Sequence, residues 1–204
     1  RGNCAVTDGV FRSVDAYSCF GNPEWKNYTM SFKARAPKDA EQVQIWAGFR
    51  AYNRFDRYVL GLKGGLQDDI YLMRLGYMGT DEFLGVRPLG FHPVPGEWYN
   101  IKVEVCGSRI RVFLNNEKEP RIDVTDKNGN LAPSGQVTLG GGWIETEFDD
   151  LVVTPMKEDV LKDVKVVEYR KIITPQEKEN KRQQERANYR TVKVNELVDS
   201  RTDV

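Results

Sequence analysis

The chain has 204 residues, with 30 Lys or Arg and 30 Asp or Glu, so its formal net charge is zero. This balance argues against the basic surface of a nucleic-acid-binding protein, and no apolar run reaches the roughly 18 residues that a membrane-spanning helix needs. The length suits one domain of ordinary size with an appendage. Because the sequence begins at Arg1 rather than at a methionine, we expect a piece of a longer protein.

Cysteine and histidine give little support for a metal or redox site. The three cysteines are Cys4, Cys19 and Cys106, and their odd number argues against a complete disulfide framework, although Cys4 and Cys19 could pair. The sequence has no CxxC motif and no cluster of Cys with His, and His92 is the only histidine. We therefore predict neither a zinc site nor a site built from several histidines.

Alternation of apolar and polar residues predicts strands in the first part of the chain. The alternating stretches are residues 28–35, 43–50, 58–62 and, more weakly, 69–75. In the second stretch, Val43 and Phe49 belong to the apolar face. The same alternation places Trp46, Gly48 and Arg50 together on the opposite face.

The clearest local unit is a hairpin over residues 98–115, closed by a two-residue turn at Gly107-Ser108. Gly at the first turn position is typical of a type II′ turn. This turn fixes a register in which all apolar partners lie on one face and a charged pair on the other. The predicted pairs are Val105–Ile110, Val103–Val112, Ile101–Leu114 and Glu104–Arg111. Further strands are predicted at residues 136–139 and 147–153.

Many short strands separated by Gly, Pro, Asn and Asp, with no helix between them, predict an antiparallel all-β sandwich over residues 1–155. Residues 156–204 differ, because they are rich in Lys, Glu, Arg and Gln. We predict a C-terminal extension there, with a strand at 163–173 and a polar helix that ends near residue 190. Thr174-Pro175-Gln176-Glu177 has the pattern of a capping box with Pro at the first helical position. We expect a further domain to follow.

Several strings of residues resemble the concanavalin A-like and laminin-G-like jelly rolls. They are Trp98 to Val105 with Ile110 to Asn115, Asp123 to Asp126, Ser134 to Leu139, Glu147 to Val153, and Ala47 to Arg50 with Tyr58 to Leu60. Their order is similar to that of 3-keto-disaccharide-hydrolase-like and exo-inulinase-like modules. Val194-Asn195-Glu196-Leu197 resembles the lead-in to a family 2 glycoside hydrolase. The resemblance implies a jelly-roll module of a periplasmic or secreted bacterial enzyme that acts on polysaccharide.

Sugar-binding sites combine aromatic faces, which stack on sugar rings, with polar groups that bind hydroxyls. We predict that a sugar-binding site is formed by Trp46, Arg50, Tyr58, Arg74, Tyr77, Trp143 and Glu145. Trp143 and Glu145 follow three consecutive glycines, where the backbone can turn tightly. The alternative interpretation is that both tryptophans are half-buried packing residues and that the arginines pair with nearby carboxylates.

Two further interpretations rest on carboxylates near the end of the sandwich. Glu145, Glu147 and Asp149 alternate along a predicted strand, roughly 6.5–7 Å apart, and paired carboxylates at such distances can hydrolyse glycosides. Asp149 or Asp150, with Asp8, is a candidate ligand set for a structural calcium ion.

The sequence therefore leaves three functions open, all of them compatible with a jelly-roll sandwich. The first is an accessory module that binds carbohydrate or packs against a catalytic domain of the same polypeptide. The second is a glycoside hydrolase in its own right, acting on a disaccharide or a glucan. The third is a purely structural spacer.

Overall fold

A computed structural model describes residues 2–53, 56–65, 67–76, 81–127 and 134–157. All of them lie in the first of two units into which the chain divides, Arg1–Arg170, and the second unit is Lys171–Val204. The predicted strand at 163–173, the predicted helix at 174–190 and nearly all of the predicted extension therefore lie outside the described residues.

The described residues form thirteen strands and contain no helix. The strands are β1 (Asn3–Thr7), β2 (Val10–Val14), β3 (Tyr17–Phe20), β4 (Tyr28–Arg35), β5 (Gln44–Ala51), β6 (Arg57–Lys63), β7 (Asp69–Leu75), β8 (Glu82–Pro88), β9 (Tyr99–Cys106), β10 (Arg109–Leu114), β11 (Ile122–Thr125), β12 (Gln136–Gly140) and β13 (Thr146–Pro155). None of the described residues belongs to a helix with the length and hydropathy needed to cross a membrane.

The strands build two antiparallel sheets. The seven-stranded sheet has the order β1-β2-β13-β4-β9-β10-β11, and the six-stranded sheet has the order β3-β12-β5-β6-β7-β8. Strands that are distant in sequence pair in both sheets, as β13 does with β4 and β12 with β5. This is the predicted two-sheet jelly-roll sandwich.

The core lies between the sheets and is built by the alternation seen in the sequence. β4 turns four apolar side chains inward, and β5, β6, β9 and β10 supply matching rows from both sheets. Phe148 of β13 packs at the centre against Phe11 and Phe32, with ring centroids 6.0 Å away in both cases. Burial of these rows removes most large apolar side chains from water, which is the main favourable term in folding.

The predicted hairpin is confirmed residue by residue. β9 and β10 pair with Val103 opposite Val112, and the other three predicted pairs are also formed. Gly107 has a φ of +55° in the turn, as the first residue of a type II′ turn requires. On the outer face, the Arg111 guanidinium lies 2.5 Å from the Glu104 carboxylate.

The alternation did not predict the strands at the N-terminus or at one edge of the sandwich. β1, β2, β3 and β8 are mostly exposed or half-buried, so their sequences lack a clean apolar stripe. β1 and β8 are edge strands of their sheets, and an edge strand buries little on either face. Cys4 and Cys19 do not form the disulfide that was left open.

Replacement of Phe148 by Ala should destabilise the sandwich by about 3–5 kcal/mol, because it leaves a cavity in the core. The matched control is Phe83→Ala on β8, because Phe83 is 59% exposed whereas Phe148 is 1% exposed. The free energy of unfolding in urea gives the comparison. Equal losses for the two variants would contradict the core described above.

Candidate functional site

The outer face of the seven-stranded sheet carries mostly paired charges. Glu147 of β13 lies between two arginines, with Arg12 at 2.8 Å and Arg35 at 2.6 Å. Lys33 of β4 contacts Asp149 at 3.2 Å. The Arg35 guanidinium also lies over the Trp98 ring, 4.3 Å from its centroid. Opposite charges on adjacent strands of this face therefore pair with one another.

The outer face of the six-stranded sheet carries more aromatic side chains, together with the Lys63–Asp69 ion pair. Trp46 of β5 and Trp143, from the loop between β12 and β13, have ring centroids 5.9 Å apart. Tyr71 of β7 meets Phe83 of β8 edge to face, with centroids 5.7 Å apart. These four residues, Trp143, Trp46, Tyr71 and Phe83, are called the aromatic band. The band extends across the strands from the loop to the sheet edge.

A glycine lets the band lie close to the sheet. Gly61 of β6 is the register partner of both Trp46 and Tyr71. A Cβ atom at Gly61 would overlap the Tyr71 ring, so this ring lies across β6 and points toward β5. The absence of a side chain at one position therefore brings aromatic residues from alternate strands together.

Polar atoms accompany the band. Asp69 Oδ1 and Thr138 Oγ1 are buried and have no hydrogen-bond partner among the described residues. Burial, followed by the nearby Asp69 carboxylate, raises the pKa of Tyr71 to about 12, so its hydroxyl stays protonated. Buried polar atoms normally have a partner.

The Trp143 loop is held in place by backbone contacts. Gly140 and Gly141 have φ values of +96° and +111°, which favour glycine over other residues. The backbone N–H of Trp143 donates to Gln44 Oε1 at 2.9 Å, and the Asp15 N–H donates to the Gly142 carbonyl at 2.7 Å. The Trp143 side chain nevertheless remains 65% exposed.

The predicted site residues are only partly brought together. Trp46 and Trp143 are in contact, and exposed Glu145 follows two residues after Trp143. Tyr77 lies outside the described residues. Arg50, Tyr58 and Arg74 lie elsewhere.

Arg50 does not share the outer face with Trp46, so the expectation that it does is wrong. Arg50 has a φ of +46° and lies where the pairing of β5 with β12 shifts register. Its side chain is 1% exposed. The guanidinium donates to the Lys26 carbonyl at 2.8 and 3.0 Å and to the Gly107 carbonyl at 2.7 Å. Arg50 therefore ties the six-stranded sheet to the hairpin turn of the other sheet.

Tyr58 and Arg74 point into the sandwich. The Tyr58 ring stacks on Phe49 with centroids 5.2 Å apart, and its hydroxyl donates to Asp126 at 2.8 Å. Arg74 pairs with the same carboxylate at 2.5 Å and with Glu82. For Arg74 the structure agrees with the alternative interpretation, in which the arginines pair with nearby carboxylates.

The three carboxylates considered for catalysis do not form an acid–base pair in a pocket. Glu147 is 4% exposed, and each of its carboxylate oxygens contacts an arginine. The Asp150 N–H and then the Lys33 ammonium hold the pKa of Asp149 below its usual range. A glycosidase needs one carboxylic acid that stays protonated, and the lowered pKa of Asp149 is the opposite of that requirement. Glu147 and Asp149 also lie on the sheet opposite the aromatic band.

Calcium stays a prediction that nothing here tests directly. Among the described residues, no group of three or more His, Cys, Asp or Glu could hold a metal ion. Lys33 Nζ contacts Asp149 at 3.2 Å and Asp150 at 2.9 Å, so an ammonium group already lies between these two carboxylates. Asp8 lies in the turn between β1 and β2, with a φ of +53°. The arrangement does not favour a calcium site at these three residues.

Sequence reasoning missed Gln44, Gly61, Tyr71 and Phe83. The alternation at 69–75 puts Tyr71 on the face opposite Ile70, so the sequence did indicate that Tyr71 lies on the outer face. Its neighbours across the sheet depend on strand pairing, which the alternation does not give.

The fold and this face define a concanavalin A-like jelly-roll sandwich with one charged and one aromatic outer surface. No protein-family model matches the chain, and no curated protein matches it. Among solved structures, the carbohydrate-binding module CBM66 from Bacillus subtilis is similar, with a TM-score of 0.55 and 15% identity, and the match covers 75% of this chain and 91% of that one. The resemblance inferred from sequence is thus confirmed at the level of the fold.

Two other solved structures have the same fold. A provisionally assigned glycosyl hydrolase from Parabacteroides distasonis has a TM-score of 0.52 and 14% identity, over 76% of this chain and 93% of that one. The GH43 protein BlXynB from Bacillus licheniformis has a TM-score of 0.50 and 12% identity, over 72% of this chain and 33% of that one. At these identities the likeness concerns architecture alone.

We expect Arg50→Met to destabilise the protein by roughly 2–4 kcal/mol, because the Lys26 and Gly107 carbonyls lose a charged donor that reaches them from the core. Arg87→Met is the matched control, since Arg87 is exposed and donates only to the adjacent Val86 carbonyl. Its effect should stay within about 0.5 kcal/mol. Chemical denaturation of both variants makes the comparison, and an undiminished stability for Arg50→Met would contradict the structural role given to Arg50.

Proposed function

We propose that this chain is a carbohydrate-binding module and that the aromatic band on its six-stranded sheet is the binding surface. The observation that carries this proposal is the Trp143–Trp46 pair. Trp143 is 65% exposed, yet its backbone is fixed and its ring is held 5.9 Å from Trp46. A large apolar ring that is kept in water but rigidly positioned is typical of a binding surface.

The chemistry of this face suits sugars better than most other ligands. Aromatic rings offer flat apolar faces for the C–H side of a sugar ring. Solved structures with the same fold include a carbohydrate-binding module and two proteins described as glycoside hydrolases. This agreement supports the proposal, which rests on the geometry of the face.

Binding is a better account of the chain than catalysis. The carboxylates at 145, 147 and 149 lie at the other sheet or in solvent, and the two on β13 contact cations. A spacer with no ligand leaves the exposed and ordered Trp143 without a role. Glu147→Gln should therefore leave carbohydrate affinity unchanged.

The setting of the module follows from the resemblance of its sequence. We propose that it is an accessory module of a larger bacterial glycoside hydrolase, periplasmic or secreted, and that its partner is the catalytic domain of the same polypeptide. The similarity of residues 194–197 to a lead-in segment suggests a family 2 enzyme. The full-length gene tests this directly, because a glycosidase domain should be encoded beyond Val204.

Trp143→Ala should weaken binding at least about tenfold, since truncation of an aromatic anchor residue costs about 2 kcal/mol or more at an interface. A glycan array identifies the ligand, and calorimetric titration of the best-bound oligosaccharide gives the affinity. Trp98→Ala on the charged face is the matched control and should bind like the unmodified protein. No binding to any glycan, or equal losses for both variants, would overturn the proposed function.

Affinity should rise with the length of the oligosaccharide. Trp46 on β5 and Phe83 on β8 are three strand spacings apart, about 14 Å, and both ends of the band carry exposed aromatic area. Phe83→Ala should thus weaken binding of a hexasaccharide and leave that of a disaccharide unchanged, whereas Trp143→Ala should weaken both. Phe91→Ala, another exposed aromatic outside the band, serves as the control. Equal effects of Phe83→Ala on both lengths would contradict a ligand that spans the band.

A further inference from the structure

Gln44 is a buried polar residue on the same face of β5 as Trp46. It begins β5 and is 8% exposed. Its Oε1 atom accepts hydrogen bonds from two successive backbone groups of the Trp143 loop, the Trp143 N–H at 2.9 Å and the Ile144 N–H at 3.3 Å. One side-chain oxygen therefore holds the backbone on both sides of the Trp143 Cα atom.

The main chain of Gln44 adds a second tie to the same region. Its carbonyl accepts a hydrogen bond from Thr146 Oγ1 at 2.8 Å, where β13 begins. Thr146 is buried, as is Gln44. The residue thus connects β5 of one sheet to both ends of the segment 143–146, which crosses to the other sheet.

The loop sequence is adapted to this contact. A Cβ atom on Gly142 would lie 2.8 Å from Gln44 Oε1, so any larger residue would push the amide group away. Gly140 and Gly141 adopt positive φ values that let the chain turn toward Gln44. The three glycines and the glutamine therefore act as one unit.

The energetic reason for such a unit lies in the exposure of Trp143. An exposed apolar ring buries little of its area against the protein, so packing alone does not fix its position. Two loop N–H groups that lost their acceptor would have to find water or move, at a cost for each buried donor. Because Trp46 lies two residues after Gln44 on β5, the same strand positions both rings of the pair.

We propose that Gln44 is a positioning residue that orients Trp143 against Trp46 and so preorganises the carbohydrate-binding surface. The effect of Gln44 on binding rests on the proposed function. The orientation of Trp143 by Gln44 does not. Preorganisation raises affinity because the ordering cost is met before the ligand arrives. Loss of Gln44 should therefore reduce the affinity for carbohydrate, although no direct contact between Gln44 and the ligand is removed.

The test uses three variants of the whole chain. Gln44→Met keeps the length of the side chain but removes the acceptor. Gln44→Glu keeps an acceptor oxygen for both N–H groups and should rescue the loop. Gln136→Met is the matched control, because Gln136 lies on the same sheet and also bonds to backbone, donating to the Gly21 carbonyl at 2.9 Å.

The first readout needs no ligand. Two indole rings 5.9 Å apart couple their electronic transitions and give a pair of bands of opposite sign in far-ultraviolet circular dichroism. Trp143→Phe identifies this signal by abolishing it. Gln44→Met should remove most of the signal while the protein stays folded, and Gln44→Glu and Gln136→Met should retain it. An undiminished signal in folded Gln44→Met protein would overturn the inference.

The second readout is affinity for the soluble polysaccharides laminarin and inulin by affinity electrophoresis, and for the best glycan on an array. Gln44→Met should weaken binding about tenfold, the loss that corresponds to one unsatisfied buried group, with affinity restored in Gln44→Glu. Unchanged affinity alongside a lost signal would show that the oriented pair is not the binding surface and would overturn the inference. If the unmodified protein binds no glycan, the proposed function fails, while the dichroism signal still decides whether Gln44 orients the pair.

Discussion

Two-residue alternation along the strands is the constraint on which the rest of this structure depends. Successive side chains of a strand point to opposite faces, so each strand contributes one row to the core and one row to an outer surface. When β4, β5, β6, β9 and β10 turn their apolar rows inward, the composition of the two outer surfaces is fixed as well. The difference between a charged and an aromatic surface is therefore already present in the chain.

The side chains of the two outer surfaces make different kinds of contact. On the seven-stranded sheet, neighbouring strands supply opposite charges, so Glu147 and Asp149 each contact a cation from an adjacent strand. On the six-stranded sheet, neighbouring strands supply rings and glycines, and apolar area remains in contact with water. Only the second surface gains much from a flat, partly apolar ligand, because the first would have to give up satisfied ion pairs.

Buried polar groups connect the sheets at the ends of the sandwich. Arg50 reaches from β5 to the turn between β9 and β10, and Asp126, after β11, receives hydrogen bonds from Tyr58 and Arg74 of the other sheet. Gln44 does the same beside the aromatic band. These directional contacts specify how the sheets meet, whereas apolar packing between them is largely non-directional.

The sequence by itself determined the inner rows, the hairpin register and the sandwich class, because these follow from local alternation and from the chemistry of one turn. It also pointed to Trp46 and Trp143, although they are far apart in the chain. Only the tertiary structure decided that these two rings meet, that Tyr71 joins them across Gly61, and that Arg50 is buried. Contacts between distant strands depend on pairing order and on a register shift at one bulge, and neither leaves a periodic signal in the sequence.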